Sequence, residues 1–420
     1  MRRLIYPTMP ILAAVILAVG VNSARAAGTA GALDTTFGNG GSVITALNSA
    51  VPLAIQFQSK GDILILVNSA AVTEVLRYTP AGVLDTTFGA NGIAVLPSSF
   101  TGSSMAVDSS NRIVIAGDTV STNELAAARL TANGALDTTF GSDGIAQTNQ
   151  SCCDAAGALV IEPATVGAGA DDIVFCGGLF PTGRREPSTT LLARWTSSGK
   201  LDPAFGSGGI VHVVGPGGCT ALAVLSTGEL LDANGTTAQF EANGALESSV
   251  TGGTVAASAA TQFPGTTVFQ PDGEIVVAGP LFVGEESRGH NASTEVLRFT
   301  ETGAADSTFA DPSFHFEGSG GPDIEALPRS VAIASNGDIV VLGEQITYSQ
   351  SGEAVVNGLA RLTPNGDLDT SFGSDGVETN TVPSGAEGFE LAAIDSESRI
   401  IAVGITNNYT EIFLSRYLGQ

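Results

Sequence analysis

The sequence LDTTFG occurs three times in this chain, at Leu33–Gly38, Leu84–Gly89 and Leu136–Gly141. Two close variants follow, LDPAFG from Leu201 and LDTSFG from Leu368. We expect the aspartate to accept hydrogen bonds from backbone N–H groups two or three residues further on, as aspartate does in turns. The phenylalanine would fill a groove between sheets, and the last glycine permits a positive φ. The repeated segment is therefore predicted to be a structural corner and not a catalytic motif.

Each corner belongs to a longer pattern of short strands. An alternating strand that ends in arginine stands before it, as in VLRYTPAGVLDTTFG, and upstream lie two apolar strands around a polar turn, as in MAVDSSNRIVIAG. A glycine loop and another short strand follow the corner, as in GANGIAVL. Four strands in each unit, with almost no helical periodicity, predict an all-β chain made of propeller blades.

The corner phenylalanines indicate the number of units. Their successive spacings are 51, 52, 65, 104 and 63 residues, and they are Phe37, Phe88, Phe140, Phe205, Phe309 and Phe372. The gap of 104 residues contains a degenerate unit, Glu241–Val250, which keeps the turn and lacks the phenylalanine. We therefore predict a seven-bladed β-propeller, with residues 27–420 forming a single domain by radial repetition.

The two ends of the repeat array complement each other. After its first segment the chain begins at the corner GALDTTFG, and it ends at IFLSRYLGQ, which matches the strand that precedes a corner elsewhere. We predict that Val43–Leu47 completes the last blade beside Ile412–Tyr417. This pairing of the N-terminal strand with the C-terminal blade would close the propeller and remove free sheet edges.

An arginine stands eight residues before most of the corner aspartates. In the degenerate unit the two positions hold Gln239 and Glu247, and the last arginine would meet the first aspartate if the ring closes. We predict a repeated Arg–Asp contact, whose loss would cost about 3–5 kcal/mol if it is buried and about 0–1 kcal/mol if it is exposed. The pairs are Arg77 with Asp85, Arg129 with Asp137, Arg194 with Asp202, Arg298 with Asp306, Arg361 with Asp369, and Arg416 with Asp34.

Residues 1–26 have the pattern of a secretory signal peptide. Arg2 and Arg3 precede the apolar run Ile11–Val21, and Ala24–Ala26 is a small-x-small cleavage sequence. The apolar run is too short for a membrane anchor. We expect an exported protein, periplasmic or extracellular, that is monomeric and has no transmembrane segment after cleavage of the signal.

The chain is strongly acidic, with 42 Asp and Glu residues, 17 Lys and Arg residues and a formal net charge of −25. Such a surface repels phosphate groups, so nucleic acid and anionic membranes are not expected as partners. The charge is compatible with weak cation binding. Calcium is therefore the one cofactor considered, and no dedicated metal site is predicted.

Four cysteines are present, Cys152, Cys153, Cys176 and Cys219. In an exported protein they are expected to form disulfides, and four cysteines allow three connectivities. The preferred pair is Cys153 with Cys176, because both fall in one repeat. A zinc site is the alternative, but no C-x-x-C or cysteine–histidine spacing favours it.

The unit LxxxGxLDxxFGxxG resembles the delta-60 repeat of bacterial exported proteins, and the resemblance covers nearly all of the mature chain. The repeat is also similar to the NHL repeat, whose inner strand resembles MAVDSSNRIVIAG. The resemblance implies a propeller-like fold. It implies no established activity and no catalytic residues.

The variable loops are the predicted ligand-binding region. If the strands of each blade run a to d outward from the channel, the a–b and c–d connections share one face and the b–c and d–a connections share the other. The second set differs sharply between units, and variable loops on a rigid scaffold often carry function. The candidate ligand-binding residues are Arg184, Arg185, Glu285, Glu286, Arg288, His290, Asp323, Glu325 and Tyr348.

These patterns favour a non-catalytic exported scaffold that binds a protein or glycan of the cell envelope. No nucleophile elbow, phosphate-binding loop, zinc-protease motif or dinucleotide fingerprint occurs in the sequence. The alternative is a calcium- or metal-assisted hydrolase, lactonase or lyase with carboxylates converging near the channel. Its candidates, Asp108 and Asp395, occupy matching repeat positions, which favours a role in turns. A third possibility is an envelope sensor or assembly module without its own ligand.

Overall fold

The computed structural model describes residues 29–70, 72–151, 155–163, 169–179, 189–214, 219, 221–233, 237–247, 267–282, 291–317, 323–349, 352–380, 386–406 and 409–419. The predicted signal peptide, residues 1–26, lies outside these ranges. The described residues form an all-β structure without a helix. In this part of the chain no helix therefore has the length and apolar character needed to cross a membrane.

The strands follow the predicted repeat. Strand β1 (Ser42–Ala46) is followed by unit 1, which comprises β2 (Ala50–Phe57), β3 (Ile63–Ser69), β4 (Val72–Tyr78) and β5 (Ile93–Val95). Unit 2 comprises β6 (Phe100–Val107), β7 (Ile113–Thr119), β8 (Glu124–Leu130) and β9 (Ile145–Ser151). Unit 3 comprises β10 (Ala155–Glu162), β11 (Asp172–Leu179), β12 (Thr189–Trp195) and β13 (Ile210–Val214). Each unit is an antiparallel sheet with its strands in sequence order.

The middle of the chain is less regular. Unit 4 contains β14 (Ala221–Val224), β15 (Leu230–Ala233) and β16 (Thr237–Phe240). Unit 5 contains β17 (Thr267–Phe269), β18 (Ile275–Phe282), β19 (Asn291–Phe299) and β20 (Ser313–Phe314). Unit 6 contains β21 (Ile324–Ile333), β22 (Ile339–Ser349), β23 (Gly352–Leu362) and β24 (Val377–Asn380). A short parallel pairing of β19 with β21 joins units 5 and 6 into one sheet.

Unit 7 combines the two ends of the chain. It contains β25 (Ala386–Ile394), β26 (Ile400–Thr406) and β27 (Glu411–Tyr417), and β1 pairs antiparallel with β27. Ser42 and Ser415 stand opposite each other in this ladder, with 2.8 Å between their Oγ atoms. The backbone N–H of Gly31 also donates to the carbonyl of Leu418 at 2.7 Å.

The second strand of each unit is apolar on both faces because a sheet packs against each side of it. In β3, Ile63 and Ile65 belong to a cluster with Ile401 and Val403 of unit 7. The alternate residues Leu64 and Leu66 pack in a cluster with residues of unit 2. This alternation explains why the strands read as continuous apolar runs, since the period of two distributes side chains to two neighbouring sheets.

The first strands of the units contact one another in sequence order: β2 with β6, β6 with β10, β10 with β14, β14 with β17, β17 with β21, and β21 with β25. The last of these, β25, also contacts the first, β2. The first strands of neighbouring units therefore lie side by side, and in units 1, 2, 3 and 6 the opposite edge of the sheet is formed by the strand after the corner.

The predicted pairing of Cys153 with Cys176 is wrong. Cys176 is disulfide-bonded to Cys219, with a Cα–Cα distance of 5.8 Å, and Cys153 lies outside the described residues. The reason is strand alternation. Cys176 lies on the face of β11 that packs against unit 4, where it shares an apolar cluster with Cys219, Leu222 and Leu230. The disulfide therefore joins two neighbouring sheets and does not close a loop within one repeat.

A buried carboxyl group interrupts the apolar pattern in unit 4. Asp232 stands two residues after Leu230, and the matching residues of the other second strands are Ile65, Ile115, Phe175, Val277, Val341 and Ala402. Its side chain is 5% exposed, and its Oδ1 has no hydrogen-bond partner among the described residues. Burial raises the pKa of Asp232 to about 8.

Asp232→Val is expected to stabilise the fold, by roughly 1–3 kcal/mol for removal of the unsatisfied buried group. The stabilisation that Asp232→Val brings should increase with pH. Because the folded-state pKa of Asp232 is raised, the folded state holds a proton that the unfolded state releases, and stability falls as pH rises from about 4 to about 8. Urea unfolding of both proteins between pH 5 and 9 measures this, and equal slopes against pH would contradict it.

Candidate functional site

One face of the protein, which we call the turn face, carries the connections between first and second strands and between third and fourth strands. A repeated cluster, here called the latch, joins six of the seven units to the next unit on this face. In unit 1, Arg77 Nη2 lies 2.7 Å from Asp85 Oδ2, and the guanidinium lies over the ring of Phe88 at 4.6 Å from its centroid. Arg77 Nη1 also donates to the carbonyl of Ala132, in unit 2, at 2.7 Å.

The same latch recurs along the chain. The structure brings together the other Arg–Asp pairs of the repeat, Arg129 with Asp137, Arg194 with Asp202, Arg298 with Asp306, Arg361 with Asp369, and Arg416 with Asp34. In each, the guanidinium lies 4.5–4.9 Å from the centroid of the corner phenylalanine. Their Nη1 groups donate to the carbonyls of Ser197, Ala242, Pro364, Gly419 and Pro80, each in the next unit.

The corner phenylalanine also covers a glycine of the following unit. Phe88 packs on Gly134, whose φ is +84° and where a Cβ would come within 2.8 Å of the ring. The N–H of Gly89 donates to the carbonyl of Asn133 beside it. A side chain on Gly134 would therefore displace the ring and break the contact between units 1 and 2, so this glycine is required by packing as well as by φ.

The degenerate unit keeps the backbone of the corner and loses the latch. The N–H of Glu247 donates to the carbonyl of Gln239 at 3.0 Å, as Asp85 does to Arg77 in unit 1. The side chain of Gln239 instead donates to Glu229 Oε2. In the described residues, unit 4 therefore replaces the latch with a side-chain contact inside its own sheet.

Five of the latch aspartates, Asp34, Asp85, Asp137, Asp306 and Asp369, have a pKa lowered from its ordinary value. Hydrogen bonds from the hydroxyl and then the N–H of Thr308, together with Arg298, lower the pKa of Asp306 to about 2. At Asp34, burial opposes ionisation, but hydrogen bonds from Thr36 and the charge of Arg416 outweigh it and lower the pKa.

Protonation of these aspartates in acid should therefore weaken their latches over the same pH range. Because the folded-state pKa values of these aspartates are lowered, their contribution is fully present above the unfolded-state value of about 4 and is lost as pH falls toward 2. The expected result is a steep fall in the free energy of unfolding between pH 4 and pH 2, and the part of this fall that comes from Asp306 should be absent in Asp306→Asn. Urea titrations across this range measure it, and a flat profile would contradict it.

The opposite face, here called the variable face, carries the predicted ligand-binding residues that the structure describes. Tyr348 Oη donates to Glu325 Oε2 at 2.9 Å, and the N–H of Tyr348 donates to the carbonyl of Asp323 at 2.8 Å. Burial and then the hydrogen bond and charge of Glu325 raise the pKa of Tyr348 to about 12. The three residues are thus neighbours where β21 meets the extended hairpin of β22 and β23.

The other predicted residues of this face, Arg184, Arg185, Glu285, Glu286, Arg288 and His290, lie outside the described residues. Their part in the site stays a prediction.

A polar cluster deeper in unit 6 was not predicted. Arg329 occupies a β-bulge of β21 and forms an ion pair with Glu344, whose side chain is largely buried. Asn357 is 2% exposed, and its Oδ1 accepts from the N–H of Phe389 in unit 7. Bulges commonly re-aim side chains beside functional sites. This cluster therefore places a cation and a carboxylate next to the first strands of the units.

A sequence signal for this cluster exists in the repeat register. Of the arginines in the described ranges, Arg329 alone belongs neither to a latch nor to the turn after a first strand. Glu344 follows Gly343 at a position that is Ile405 in unit 7 and Asn68 in unit 1. Polar residues that depart from the repeat would have identified the cluster.

The carboxylates considered for a metal site serve in turns. Asp108 Oδ1 accepts from the N–H groups of Ser110 and Arg112, and its Oδ2 pairs with the Arg112 side chain. Asp395 makes the matching contacts with Glu397 and Arg399. Each carboxylate is held within its own unit.

A cleft of about 410 Å³ also lies on the turn face between units 1 and 2. Lys60, Asp62 and Asn133 line it together with the latch of unit 1. Gln58 at its base donates to the carbonyls of Asn111 and Ala132. Because the latch arginine in its wall already binds Asp85, the cleft is a by-product of the contact between the units.

A comparison with curated proteins found no match. Among solved structures, the Nup133 β-propeller domain of Vanderwaltozyma polyspora is similar, at 10% identity and a TM-score of 0.45, covering 90% of this chain and 97% of that one. The PQQ-bound aldose sugar dehydrogenase of Streptomyces coelicolor has 11% identity and a TM-score of 0.39, with 90% and 98% covered. A gluconolactonase of Xanthomonas campestris has 14% identity and a TM-score of 0.37, with 92% and 93% covered.

A family of propellers matches parts of the sequence itself. The family described as a domain of unknown function (DUF5122) beta-propeller matches residues 109–140, 270–309 and 334–372. Each matched segment spans the turn after a first strand through to a corner phenylalanine, which is the part of the unit that builds the latch. Together with the all-β structure, these matches support the assignment of this chain to a β-propeller repeat family.

Proposed function

We propose that this protein is an exported, non-catalytic seven-bladed β-propeller that binds a protein or glycan of the cell envelope through its variable face. In this proposal units 1 to 7 are the blades, and β1 completes the last blade.

Three contacts support a closed ring. The first strand of unit 7, β25, contacts that of unit 1, β2. Ile401, Val403 and Leu414 of unit 7 share an apolar cluster with Ile63 and Ile65 of unit 1. The latch of Arg416 reaches the carbonyl of Pro80 in unit 1, as each other latch reaches the next unit. Units 7 and 1 thus meet through the same kinds of contact as units 1 and 2.

The observation that carries the binding proposal is the contrast between the two faces. On the turn face, the charged side chains of the latch pair with each other and hold neighbouring units together. On the variable face, β22 and β23 extend to 11 residues each and hold Tyr348 against Glu325. A rigid scaffold whose connections repeat from unit to unit on one face and differ between units on the other is typical of a binding protein.

The chemistry of the variable face supports a ligand with positive charge. The charges of Glu325, Glu353 and Glu344 each help to raise the pKa of Tyr348, so all three carboxylates lie close to this tyrosine. The exposed Val355 on the same hairpin adds an apolar surface. A basic segment of an envelope protein, or a glycan with amino groups, fits this combination better than a nucleic acid or an anionic membrane does.

The test compares two charge-neutralising variants. Glu325→Gln with Tyr348→Phe alters the variable face, and Glu301→Gln removes one charge from a turn on the opposite face. Binding to a glycan array and to immobilised envelope fractions should fall at least tenfold in the first variant and stay unchanged in the second. Equal binding by both variants, with folding intact by circular dichroism, would place the ligand elsewhere.

A further inference from the structure

The interface between units 3 and 4 brings a disulfide and a carboxyl group together. Cys176 projects from β11 toward unit 4, and Asp232 occupies the register position of β15 that faces the preceding unit. One carboxylate oxygen of Asp232 and the two Sγ atoms of Cys176 and Cys219 all lie within 4.8 Å of one another. The three groups are therefore close enough for a proton to pass between carboxyl and sulfur directly or through one water molecule.

The surroundings of this trio are apolar. Val174, Leu192, Phe205, Leu222 and Phe240 form the cluster that encloses the disulfide. Burial raises the pKa of Asp232, and the Sγ atoms of Cys176 and Cys219 lie beside its carboxyl group. At neutral pH its carboxyl group is therefore protonated and able to donate.

The reduced state has hydrogen-bond acceptors already in place. Cys176 Sγ lies 3.3 Å from the carbonyl oxygen of Ala158, and Cys219 Sγ lies 3.8 Å from that of Ala221. A thiol at either position therefore finds an acceptor without movement of the backbone. The two residues differ in exposure, since Cys219 is 6% exposed and Cys176 is fully buried.

We propose that Cys176, Cys219 and Asp232 form a thiol–disulfide exchange site that a dithiol reductant opens in the folded protein. This goes beyond the proposed binding function and does not depend on it. A thiolate of the reductant attacks Cys219 Sγ, the Sγ–Sγ bond breaks, and its electron pair goes to Cys176 Sγ, which takes the proton of the Asp232 carboxyl group. The second thiol of the reductant then displaces Cys219 Sγ, which takes the proton released from that thiol.

The electrons and protons of this exchange balance. Two electrons pass from the dithiol, which becomes a disulfide, to the cysteine pair, which becomes two thiols. Asp232 is left ionised and regains its proton from water. Its role is to neutralise the leaving thiolate inside an apolar cluster, where a bare charge would be costly.

The experiment measures reduction by dithiothreitol in a Cys152→Ser, Cys153→Ser background, so that only the described pair reacts. Samples are alkylated at intervals and weighed by mass spectrometry. The rate should be independent of urea below the unfolding transition, and Asp232→Asn should slow it about 100-fold or more, the effect of removing a positioned proton donor. Asp118→Asn, which changes another carboxyl group whose pKa is raised by burial, to about 6, is the matched control and should leave the rate unchanged.

The pH profile gives a second measurement that needs no variant. With the rate divided by the concentration of reductant thiolate, the unaltered pair should react more slowly as pH rises through about 8, because the donor ionises. A purely structural disulfide would be reduced only as fast as the protein unfolds, with a rate that rises with urea. That result, or equal rates for Asp232→Asn and Asp118→Asn, would overturn the proposal.

Discussion

A chain carrying Ser42→Cys and Ser415→Cys is expected to form a disulfide between its first and last strands and to gain about 5–6 kcal/mol in its free energy of unfolding. The two residues are 373 positions apart in sequence, stand opposite each other in the β1–β27 ladder, and have Oγ atoms 2.8 Å apart. Closing so long a loop removes a large conformational entropy from the unfolded chain.

Chemical unfolding of the oxidised double variant, compared with the unaltered protein, measures this gain. The single variant Ser42→Cys is the control, since it changes the same strand without a cross-link. Mass mapping must show the new bond beside Cys176–Cys219. Failure of the two cysteines to join under oxidising conditions would mean that β1 does not lie next to β27 in solution.

Arg416→Ala is expected to cost about 3–5 kcal/mol, the effect of leaving a buried charge without its partner. Asp34 is 7% exposed and pairs with Arg416 Nη2 at 2.8 Å. The same guanidinium lies 4.7 Å from the centroid of Phe37 and donates to the carbonyl of Pro80. One substitution therefore removes an ion pair, a ring contact and a link between units 7 and 1.

Arg112→Ala is the matched control, with an expected loss smaller than that of Arg416→Ala although Asp108 is also buried. The Arg112 side chain is 28% exposed, and Asp108 keeps two backbone N–H donors without it. A double-mutant cycle with Asp34→Asn separates the ion pair from the other contacts of Arg416. Equal losses for Arg416→Ala and Arg112→Ala would show that the chain-end latch adds no more stability than a turn contact.

The repeated parts of the fold were predictable because the residue types of each corner indicate their own structural roles. Aspartate, phenylalanine and glycine at fixed offsets predicted a hydrogen-bonded turn, a buried ring and a positive φ, and the structure has Thr36 Oγ1 donating to Asp34 Oδ1 at 2.6 Å and a φ of +54° at Gly38. The pairing of Arg with Asp followed from a constant spacing of eight residues. What the spacing did not reveal is that the same arginine also binds the following unit.

The contacts between units were harder to predict because a repeat describes one sheet at a time. Cys176 and Cys219 belong to different units, so a preference for pairs within one repeat selected the wrong partner. Asp232 and Arg329 are single departures from the repeat, and their surroundings depend on which face of a strand meets which neighbour. Loops of the variable face have no periodic pattern, so the sequence did not predict the contacts of Tyr348 with Asp323 and Glu325.

Each latch arginine bonds to a neighbouring unit, so the latches of a growing chain can form only in a set order. Each latch arginine before Arg416 reaches forward to the next unit, as Arg77 reaches Ala132, 55 residues later, so a newly made sheet lacks this contact until the next unit follows. The latch of Asp34 differs, because its partner Arg416 stands 382 residues later in the sequence. The first corner of the repeat is thus the last to gain its arginine.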